Sequence, residues 1–198
     1  NMLTKIENDY EPEYMTVAFD LKAPTFRHLE YAEYKAGRKS PPPELLEQFE
    51  PLKTLISAYG CKIIECPGFE ADDILGTLSV SIEKDDHCYI ATGDRDSLQL
   101  IKDNVSVLLT TTRMGKTQTV EYDKALLFEE YGVEPSGMIE LKALQGDNSD
   151  NIPGVKGIGE KTAERLSLSL VNADDNFLTR CQNNEYAMDT HFQVGRDA

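Results

Sequence analysis

The sequence predicts an α/β fold with a mainly parallel central sheet flanked by helices. Two observations support this prediction. Short runs rich in β-branched and aromatic residues are bounded by turn residues, and they alternate with helical patterns through most of the 198 residues. Such alternation is typical of parallel sheets, in which functional residues usually lie at the carboxyl ends of the strands.

The strand patterns cover residues 16–20, 62–65, 88–91, 105–110 and 119–122. The clearest helical pattern has apolar residues at spacings of four and three, preceded by prolines 41–43 and followed by Gly60; these residues are Leu45, Phe49, Leu52, Ile56 and Tyr59. Further helices are predicted over 72–83, 123–131, 135–145 and 160–170. Residues 1–14 are expected to be the end of a helix followed by a turn.

The composition excludes several classes of protein. A net charge of −15 argues against nucleic-acid capture by charge alone. The four cysteines include no C-x-x-C pair and the three histidines are scattered, so neither a zinc site nor a secreted disulfide framework is expected. No apolar run is long enough for a membrane span and no signal peptide is recognisable, so we expect a soluble intracellular protein.

Acidic residues follow the predicted strands or lie at helix ends. They are Asp20, then Glu70, Asp72 and Asp73, then Asp94 and Asp96, and finally Asp147 and Asp150. Each group alone has a structural explanation, because acids cap helices, favour the helix N-terminus and form turns. If 147–150 is a helical turn, its two aspartates share one face; they could also be a solvated helix end.

Together, these acids are harder to explain without a cation, because clustered carboxylates repel one another. Oxygen ligands without histidine or thiolate favour Mg²⁺ or Mn²⁺. Two such ions about 4 Å apart would activate a water and hold the oxygens of a transferring phosphoryl group. The pattern therefore indicates hydrolysis of a phosphate ester.

Two further segments are candidates for binding a phosphate backbone. Residues 22–39 carry five Lys or Arg against two Glu, with Phe26, Tyr31 and Tyr34 interleaved, although an ordinary basic loop would look the same. The segment IPGVKGIGEKTA has glycines at 154, 157 and 159 before a predicted helix, which allows close backbone approach to an anion. It has neither P-loop nor Rossmann spacing, and a plain turn is the alternative.

Five segments occur in a characteristic order: VAFDLKAPTFRH, YKAGRKSPPPELLEQ, GFEADDILGTL, ATGDRDSLQLI and LKALQGDNSDNIPGVKGIGEKTAERL. In this order they resemble the bacterial 5′-nuclease family, which includes the 5′-3′ exonuclease domain of DNA polymerase I, its stand-alone relatives and, more distantly, flap endonucleases. The resemblance runs from about residue 1 to 170. It implies a PIN-like α/β core with a helix-hairpin-helix element.

The resemblance also implies an activity and its site. It implies two-metal hydrolysis, with Mg²⁺ or Mn²⁺, near the 5′ ends of 5′-flap, nicked or primer-template DNA during replication or repair. All eight acids named above match metal ligands of the family. Lys35 and Arg38 match catalytic residues near the scissile phosphate; the DNA-binding matches are Arg27, Tyr34, Lys35, Arg38, Gly154, Val155, Lys156, Gly157, Ile158, Gly159 and Lys161. In relatives the hairpin also binds a monovalent cation such as K⁺.

The same resemblance predicts the domain organisation. Residues 1–134 are expected to be the nuclease core, 135–170 the helix-hairpin-helix region and 171–198 an unassigned tail. The family's core normally opens with a strand that carries a further metal-ligand aspartate, and the segment that would match it is not in this sequence. A protein of this family is expected to be a monomer in the bacterial cytoplasm, associated with the nucleoid and not with a membrane.

Three hypotheses follow. The chain is an active metal-dependent 5′-nuclease, or it is a catalytically impaired DNA-binding fragment of the same family. The third is a phosphatase that forms an aspartyl-phosphate, suggested by DRD after a strand. That class places its second acid pair downstream of the strand-end aspartate, whereas here EADD comes before DRD, so the order argues against it.

Overall fold

The computed structural model describes residues 2–114, 116–159 and 161–163. Most of the helix predicted over 160–170, together with Cys181 and the predicted tail 171–198, lies outside these residues. Among the described residues, no helix has the length and apolar character needed to cross a membrane.

Helices and strands alternate along the described chain. The α-helices, α1 to α7 in chain order, are Met2–Tyr10, Phe26–Glu30, Pro43–Leu46, Phe49–Ala58, Ala71–Ser81, Lys124–Tyr131 and Gly137–Gln145, and a 3₁₀ helix spans Arg95–Leu100. The strands, β1 to β7, are Thr16–Ala18, Lys62–Ile64, Cys88–Thr92, Val105–Arg113, Lys116–Tyr122, Gly146–Asp147 and Ile152–Pro153. The predicted α/β class is confirmed.

These elements form two compact units, which we describe separately. The first contains residues 1–26 and 39–75, and the second contains residues 27–38 and the described residues from 76 onward. In the first unit, β1 and β2 pair in parallel, with Val17 opposite Ile63. Because the two strands are parallel, their carboxyl ends lie at the same edge. Asp20 follows the carboxyl end of β1, and Glu70 follows the carboxyl end of β2.

The helix predicted around residues 45–59 is divided into α3 and α4. Proline lacks an N–H and its ring clashes with the carbonyl four residues earlier, so Pro51 is tolerated only in the first turn of a helix. A new helix therefore begins at Phe49. Of the five apolar residues in the predicted stripe, only Ile56 is buried, at 4% exposure.

The second unit is built on a three-stranded sheet. Strands β3 and β4 are parallel, with Ile90 opposite Val107, which confirms parallel pairing there. Strand β5 runs antiparallel to β4, with Leu109 opposite Val120, and departs from the prediction because only residues 114 and 115 connect the two strands. The core of this unit contains fully buried side chains from the sheet, the helices that flank it and the connection between α6 and α7: Leu98, Val105, Val107, Leu108, Leu127 and Val133.

Helices α6 and α7 follow the sheet, and local signals mark both ends of α6. The side chain of Asp123 accepts a hydrogen bond from the Leu126 N–H at 2.8 Å and caps α6. Gly132, at φ 70°, ends α6 in the left-handed conformation. Helix α7 then runs to Gln145, with Met138, Leu141 and Leu144 on its buried side.

Two glycines close a short β-hairpin directly after α7. Strands β6 and β7 pair antiparallel, with Gly146 opposite Pro153, and residues 148–151 form the turn. Gly146 has φ +71°, and a Cβ on Gly154 would lie 2.3 Å from the Gln145 carbonyl carbon. The Val155 N–H also donates to the Leu144 carbonyl at 2.9 Å. Both glycines are therefore required by the close approach of the two strands.

We expect Gly154→Ala to lower the free energy of unfolding by about 1–3 kcal/mol, because the added methyl group has no space against the backbone of Gln145. Urea unfolding followed by circular dichroism measures this change. Gly159→Ala is the matched control, since a Cβ at Gly159 meets no heavy atom within 4 Å. Equal stability of the two variants would contradict the proposed steric role of Gly154.

Candidate functional site

An open cleft lies in the second unit, at the carboxyl end of β3. Its volume is about 510 Å³, and nearly all its lining residues are charged or polar. They are Arg38, Gly93, Asp94, Arg95, Asp96, Lys142, Asp147, Ser149 and Asp150. The four acids predicted in this part of the sequence are thus brought together with cationic side chains.

Asp94 and Asp96 are held by the turn that follows β3. The Asp94 N–H donates to the Thr92 hydroxyl at 3.0 Å, and the Asp94 carboxylate accepts the Asp96 N–H at 2.9 Å. This bond caps the 3₁₀ helix that begins at Arg95. Asp94 therefore caps the helix and remains exposed in the cleft. The same hydrogen bond orients Asp96.

Lys142 joins two of the acids from different elements. Its ammonium lies 2.6 Å from Asp96 Oδ1 and 3.1 Å from Asp147 Oδ2. The contact with Asp96 is an ion pair and not a well-directed hydrogen bond, because Oδ1 is buried without a hydrogen-bond partner of suitable geometry. One cation is therefore shared by the end of β3 and the start of the β6–β7 hairpin.

Sequence reasoning did not identify Lys142 as a site residue. It occupies the last turn of α7, five positions before Asp147, where a lysine is common because cations favour the carboxyl ends of helices. That general preference hides its specific role. A lysine in the helical turn just before an acidic pair is the signal that would have found it.

The charges in this cleft are coupled. Burial raises the pKa of Asp96, and Lys142 opposes this effect. Burial disfavours the charged form of Lys142, but Asp96 and Asp147 outweigh it and raise the pKa of Lys142 above its ordinary value. Asp147 is also partly buried, yet hydrogen bonds from Ser149 and the ammonium of Lys142 lower its pKa to about 2.

Asp147 is the last residue of β6 and Asp150 lies in the turn of the β6–β7 hairpin, so neither is in the helical turn considered from the sequence. Asp147 Oδ1 accepts the Ser149 N–H and the Ser149 hydroxyl, both at 2.7 Å. The Asp150 N–H donates to the Asp147 carbonyl at 3.2 Å. The turn still brings the two aspartates together, because four residues of a tight turn place the first and the last close in space.

The basic segment of residues 27–38 reaches the same turn. Arg38 forms an ion pair with Asp150 Oδ1, and the Lys35 ammonium lies 3.9 Å from Asp150 Oδ2. The Tyr34 hydroxyl donates to Asp150 Oδ2 at 3.2 Å. The two predicted catalytic cations, Lys35 and Arg38, are therefore in contact with a predicted metal ligand.

Tyr34, which the resemblance matches to a DNA-binding residue, is enclosed by its neighbours. The residue is only 6% exposed, and its ring packs edge-on against His28 with centroids 5.1 Å apart. Its ring therefore faces His28 while its hydroxyl is bound to Asp150. Arg27 lies in α2 and is not among the residues that line the cleft.

The acids of the first unit surround the start of α5. Asp20 Oδ1 accepts the Ala71 N–H at 2.6 Å, and the Glu70 N–H donates to Asp73 Oδ2 at 2.8 Å. Glu70 is buried, at 9% exposure, whereas Asp72 is exposed. Asp20 and Asp73 therefore cap the helix, which is the structural explanation that the sequence left open.

The glycine-rich segment forms a turn that precedes a helical segment. The Ile158 N–H donates to the Val155 carbonyl at 3.0 Å, and Gly157 has φ +87°. The Gly159 carbonyl accepts the N–H groups of Thr162 and Ala163, at 3.0 and 2.9 Å. Lys156 and Lys161 are exposed. The second helix of the predicted helix-hairpin-helix element lies mostly outside the described residues.

The acids of the cleft fit a divalent metal ion by donor chemistry. All are carboxylates, and the Lys142 ammonium shows that Asp96 and Asp147 can share one cation. Across residues 2–114, 116–159 and 161–163, however, no three His, Cys, Asp or Glu side chains are arranged to hold a metal ion. In the cleft, Lys142, Arg38 and Lys35 pair with these carboxylates instead.

The depressed pKa of Asp147 predicts a pH dependence of stability. A carboxyl whose folded-state pKa falls from 3.8 to about 2 stabilises the fold above its unfolded pKa and loses this contribution at lower pH. The difference in unfolding free energy between wild type and Asp147→Asn should be constant above about pH 5 and shrink between about pH 4 and pH 2. Urea unfolding at stepped pH measures it. Ser149→Ala should remove part of the dependence, and a pH-independent difference would contradict the assignment.

Comparison with known proteins identifies relatives that process DNA. The chain is 46% identical over 166 residues to DNA polymerase I of Bacillus caldotenax, which is 83% of this chain and 19% of that protein. It is 42% identical over 166 residues to a 5′-3′ exonuclease of Bacillus subtilis (strain 168), which is 84% of this chain and 55% of that protein. The chain spans about a fifth of the first relative and about half of the second.

A solved structure supports the same relationship. The D15 flap endonuclease of bacteriophage T5, in a pseudo-enzyme-product complex with DNA and metal ions, is 27% identical, with a TM-score of 0.68. The similarity covers 83% of this chain and 63% of that chain.

Two family models match adjacent parts of the sequence. The model of the 5′-3′ exonuclease N-terminal, resolvase-like domain matches residues 1–132, and the model of the 5′-3′ exonuclease C-terminal SAM fold matches residues 133–190. These matches confirm the resemblance based on the five sequence segments. The chain belongs to the 5′-3′ exonuclease family.

Proposed function

We propose that this chain is the nuclease part of a metal-dependent 5′-3′ exonuclease or flap endonuclease that hydrolyses phosphodiester bonds near the 5′ ends of structured DNA or primer strands. The observation that carries the proposal is the cleft in which Lys142 is shared by Asp96 and Asp147. Carboxylates that share one cation at the end of a strand suit a site where a divalent ion meets a phosphate.

The proposal assigns all eight acids to metal binding. In the cleft these are Asp94, Asp96, Asp147 and Asp150; in the first unit they are Asp20, Glu70, Asp72 and Asp73. Two Mg²⁺ or Mn²⁺ ions, when bound, supply an activated water and stabilise the charge on the phosphoryl oxygens. The low pKa of Asp147 keeps its carboxylate charged, and so available to a cation, throughout the neutral range.

The chain's own cations have a second part in the proposal. Lys35 and Arg38 would contact the scissile phosphate and offset the negative charge that develops there. Arg27 and the segment Gly154–Gly159 with Lys161 would hold the DNA backbone, and the exposed lysines of that segment favour such contacts. K⁺ is the proposed cation of the hairpin.

The finer assignments belong to the same proposal. The substrate is a 5′-flap, nicked or primer-template duplex, and the protein acts as a monomer on nucleoid DNA. Residues 1–134 form the nuclease core and residues 135–170 the helix-hairpin-helix region, while 171–198 receive no role.

A second candidate function is DNA binding without catalysis. It is favoured by the helix-capping bonds of Asp20 and Asp73, which give these acids a structural reason to be present. In that case the chain would bind flap DNA through its basic residues but leave the phosphodiester bond intact.

A cleavage assay separates these candidates. With Mg²⁺ or Mn²⁺ and a labelled 5′-flap duplex, we expect cleavage that falls at least about 100-fold in the Asp94→Asn, Asp147→Asn double variant, because metal binding is lost. Asp103→Asn is the matched control, since it removes one carboxylate from an exposed pair with Lys124. An unbranched duplex and a chromogenic phosphate ester test substrate class.

Each outcome has a separate meaning. Cleavage that survives the double substitution would contradict the metal assignment. Binding of the flap without cleavage by the wild-type chain would favour the second candidate, and hydrolysis of the small ester alone would favour a phosphatase.

EDTA should abolish cleavage while flap binding persists, because the exposed Lys156 and Lys161 would hold the DNA backbone without a divalent ion. Fluorescence anisotropy with a labelled flap measures binding, and restored cleavage after Mg²⁺ is added back is the control. Loss of binding together with cleavage would show that metal ions organise the DNA contacts as well.

A further inference from the structure

The turn of the β6–β7 hairpin binds the basic segment of residues 27–38. The Lys35 N–H donates to the Asp150 carbonyl at 2.9 Å, and the Arg38 Nε–H donates to the Ser149 carbonyl at 3.2 Å. In the other direction, the Asn151 amide donates to the Glu33 carbonyl at 2.8 Å. Each of these three bonds ends on a main-chain carbonyl, so none of them depends on a carboxylate.

The shape of both partners suits this contact. Lys35 and Asn151 have positive φ values, 56° and 59°, which are uncommon for residues other than glycine. The Tyr31 hydroxyl adds a bond to the Asn151 carbonyl at 3.2 Å. Two left-handed residues at one contact indicate that each backbone is bent to meet the other.

At this contact, both oxygens of the Asp150 carboxylate already have cationic or hydrogen-bond partners. Oδ1 pairs with the Arg38 guanidinium, and Oδ2 accepts the Tyr34 hydroxyl at 3.2 Å with the Lys35 ammonium 3.9 Å away. The Asp150 side chain is only 15% exposed. Because so little of the carboxylate is exposed, a divalent cation that binds it competes with the donors now bound there.

Arg38 is the donor that can leave. Its side chain is 51% exposed, whereas that of Lys35 is 20% exposed. Its guanidinium makes two contacts with the turn, the ion pair with Asp150 Oδ1 and the Nε–H bond to the Ser149 carbonyl. The bonds that join Lys35 to Asp150 and Asn151 to Glu33 depend on neither of them. The segment can therefore stay bound to the turn while the Arg38 guanidinium changes its partner.

We propose that Asp150 is a shared anion for which Arg38 and a divalent metal ion compete, so that metal binding releases Arg38 toward the phosphate while the turn keeps its segment in place. The inference rests on the proposed function, because it takes Asp150 to be a metal ligand. It makes Ser149 and Asn151 positioning residues for Lys35 and Arg38. The order of events would be metal first and phosphate contact second.

The affinity for Mg²⁺, measured by calorimetry without DNA, tests the competition. Arg38→Gln should tighten Mg²⁺ binding about two- to fivefold, because the ion no longer displaces a paired cation. Arg95→Gln is the matched control, since it removes the same charge from the same cleft. Equal affinities of the two variants would overturn the exchange.

The Nε–H signal of Arg38 in ¹⁵N NMR gives a readout that is independent of affinity. It should move on addition of Mg²⁺ to the wild-type chain. In Asp150→Asn it should already be displaced without Mg²⁺ and respond no further, and Arg38→Lys assigns the signal. An Arg38 signal that stays in place while Mg²⁺ binds would overturn the inference and leave the proposed function standing.

Failure of the proposed function would look different. If wild type and Asp147→Asn show the same negligible affinity for Mg²⁺, then the cleft is not a metal site, and the exchange fails with it.

Discussion

The ion contacts of Lys142 hold the cleft together. Its ammonium binds Asp96, which follows β3, and Asp147, which begins the hairpin after α7. These two acids are far apart in sequence and carry like charges, so they would repel each other without a cation between them. Burial of part of this group strengthens the effect, because a poorly hydrated carboxylate needs a close counter-ion.

The other half of the cleft depends on backbone geometry. Gly146 and Gly154 allow β6 and β7 to approach so closely that any side chain at either position would meet the main chain. The resulting turn orients Asp147 and Asp150 and presents the carbonyls that bind residues 35 and 38. Gly154, which the sequence assigned to a DNA-binding hairpin, therefore has a packing role in the same part of the chain.

Although the protein is acidic, it carries positive charge at the cleft. With a net charge of −15, the chain has little general attraction for a polyanion. Two of the cations that line the cleft are paired with carboxylates: Lys142 with Asp96 and Asp147, and Arg38 with Asp150. Positive charge is thus held at the site where divalent ions would bind the carboxylates and phosphate would bind the cations, and not on a broad basic surface.

The α/β class, the strand ends at which acids occur and the family could be predicted from the sequence, because hydrophobic period and motif order are read along the chain without knowledge of any contact. The sequence also indicated that Asp94 and Asp96 follow a strand and that Asp147 and Asp150 follow a helix. Pro51, which divides the predicted helix, and the two-residue connection, which makes β5 antiparallel, are local signals that the prediction did not use. The burial of Tyr34 and the bridge that Lys142 forms between two acids were visible only in the folded chain. These features depend on contacts between segments distant in the chain, and no local pattern encodes which cation will pair with which carboxylate.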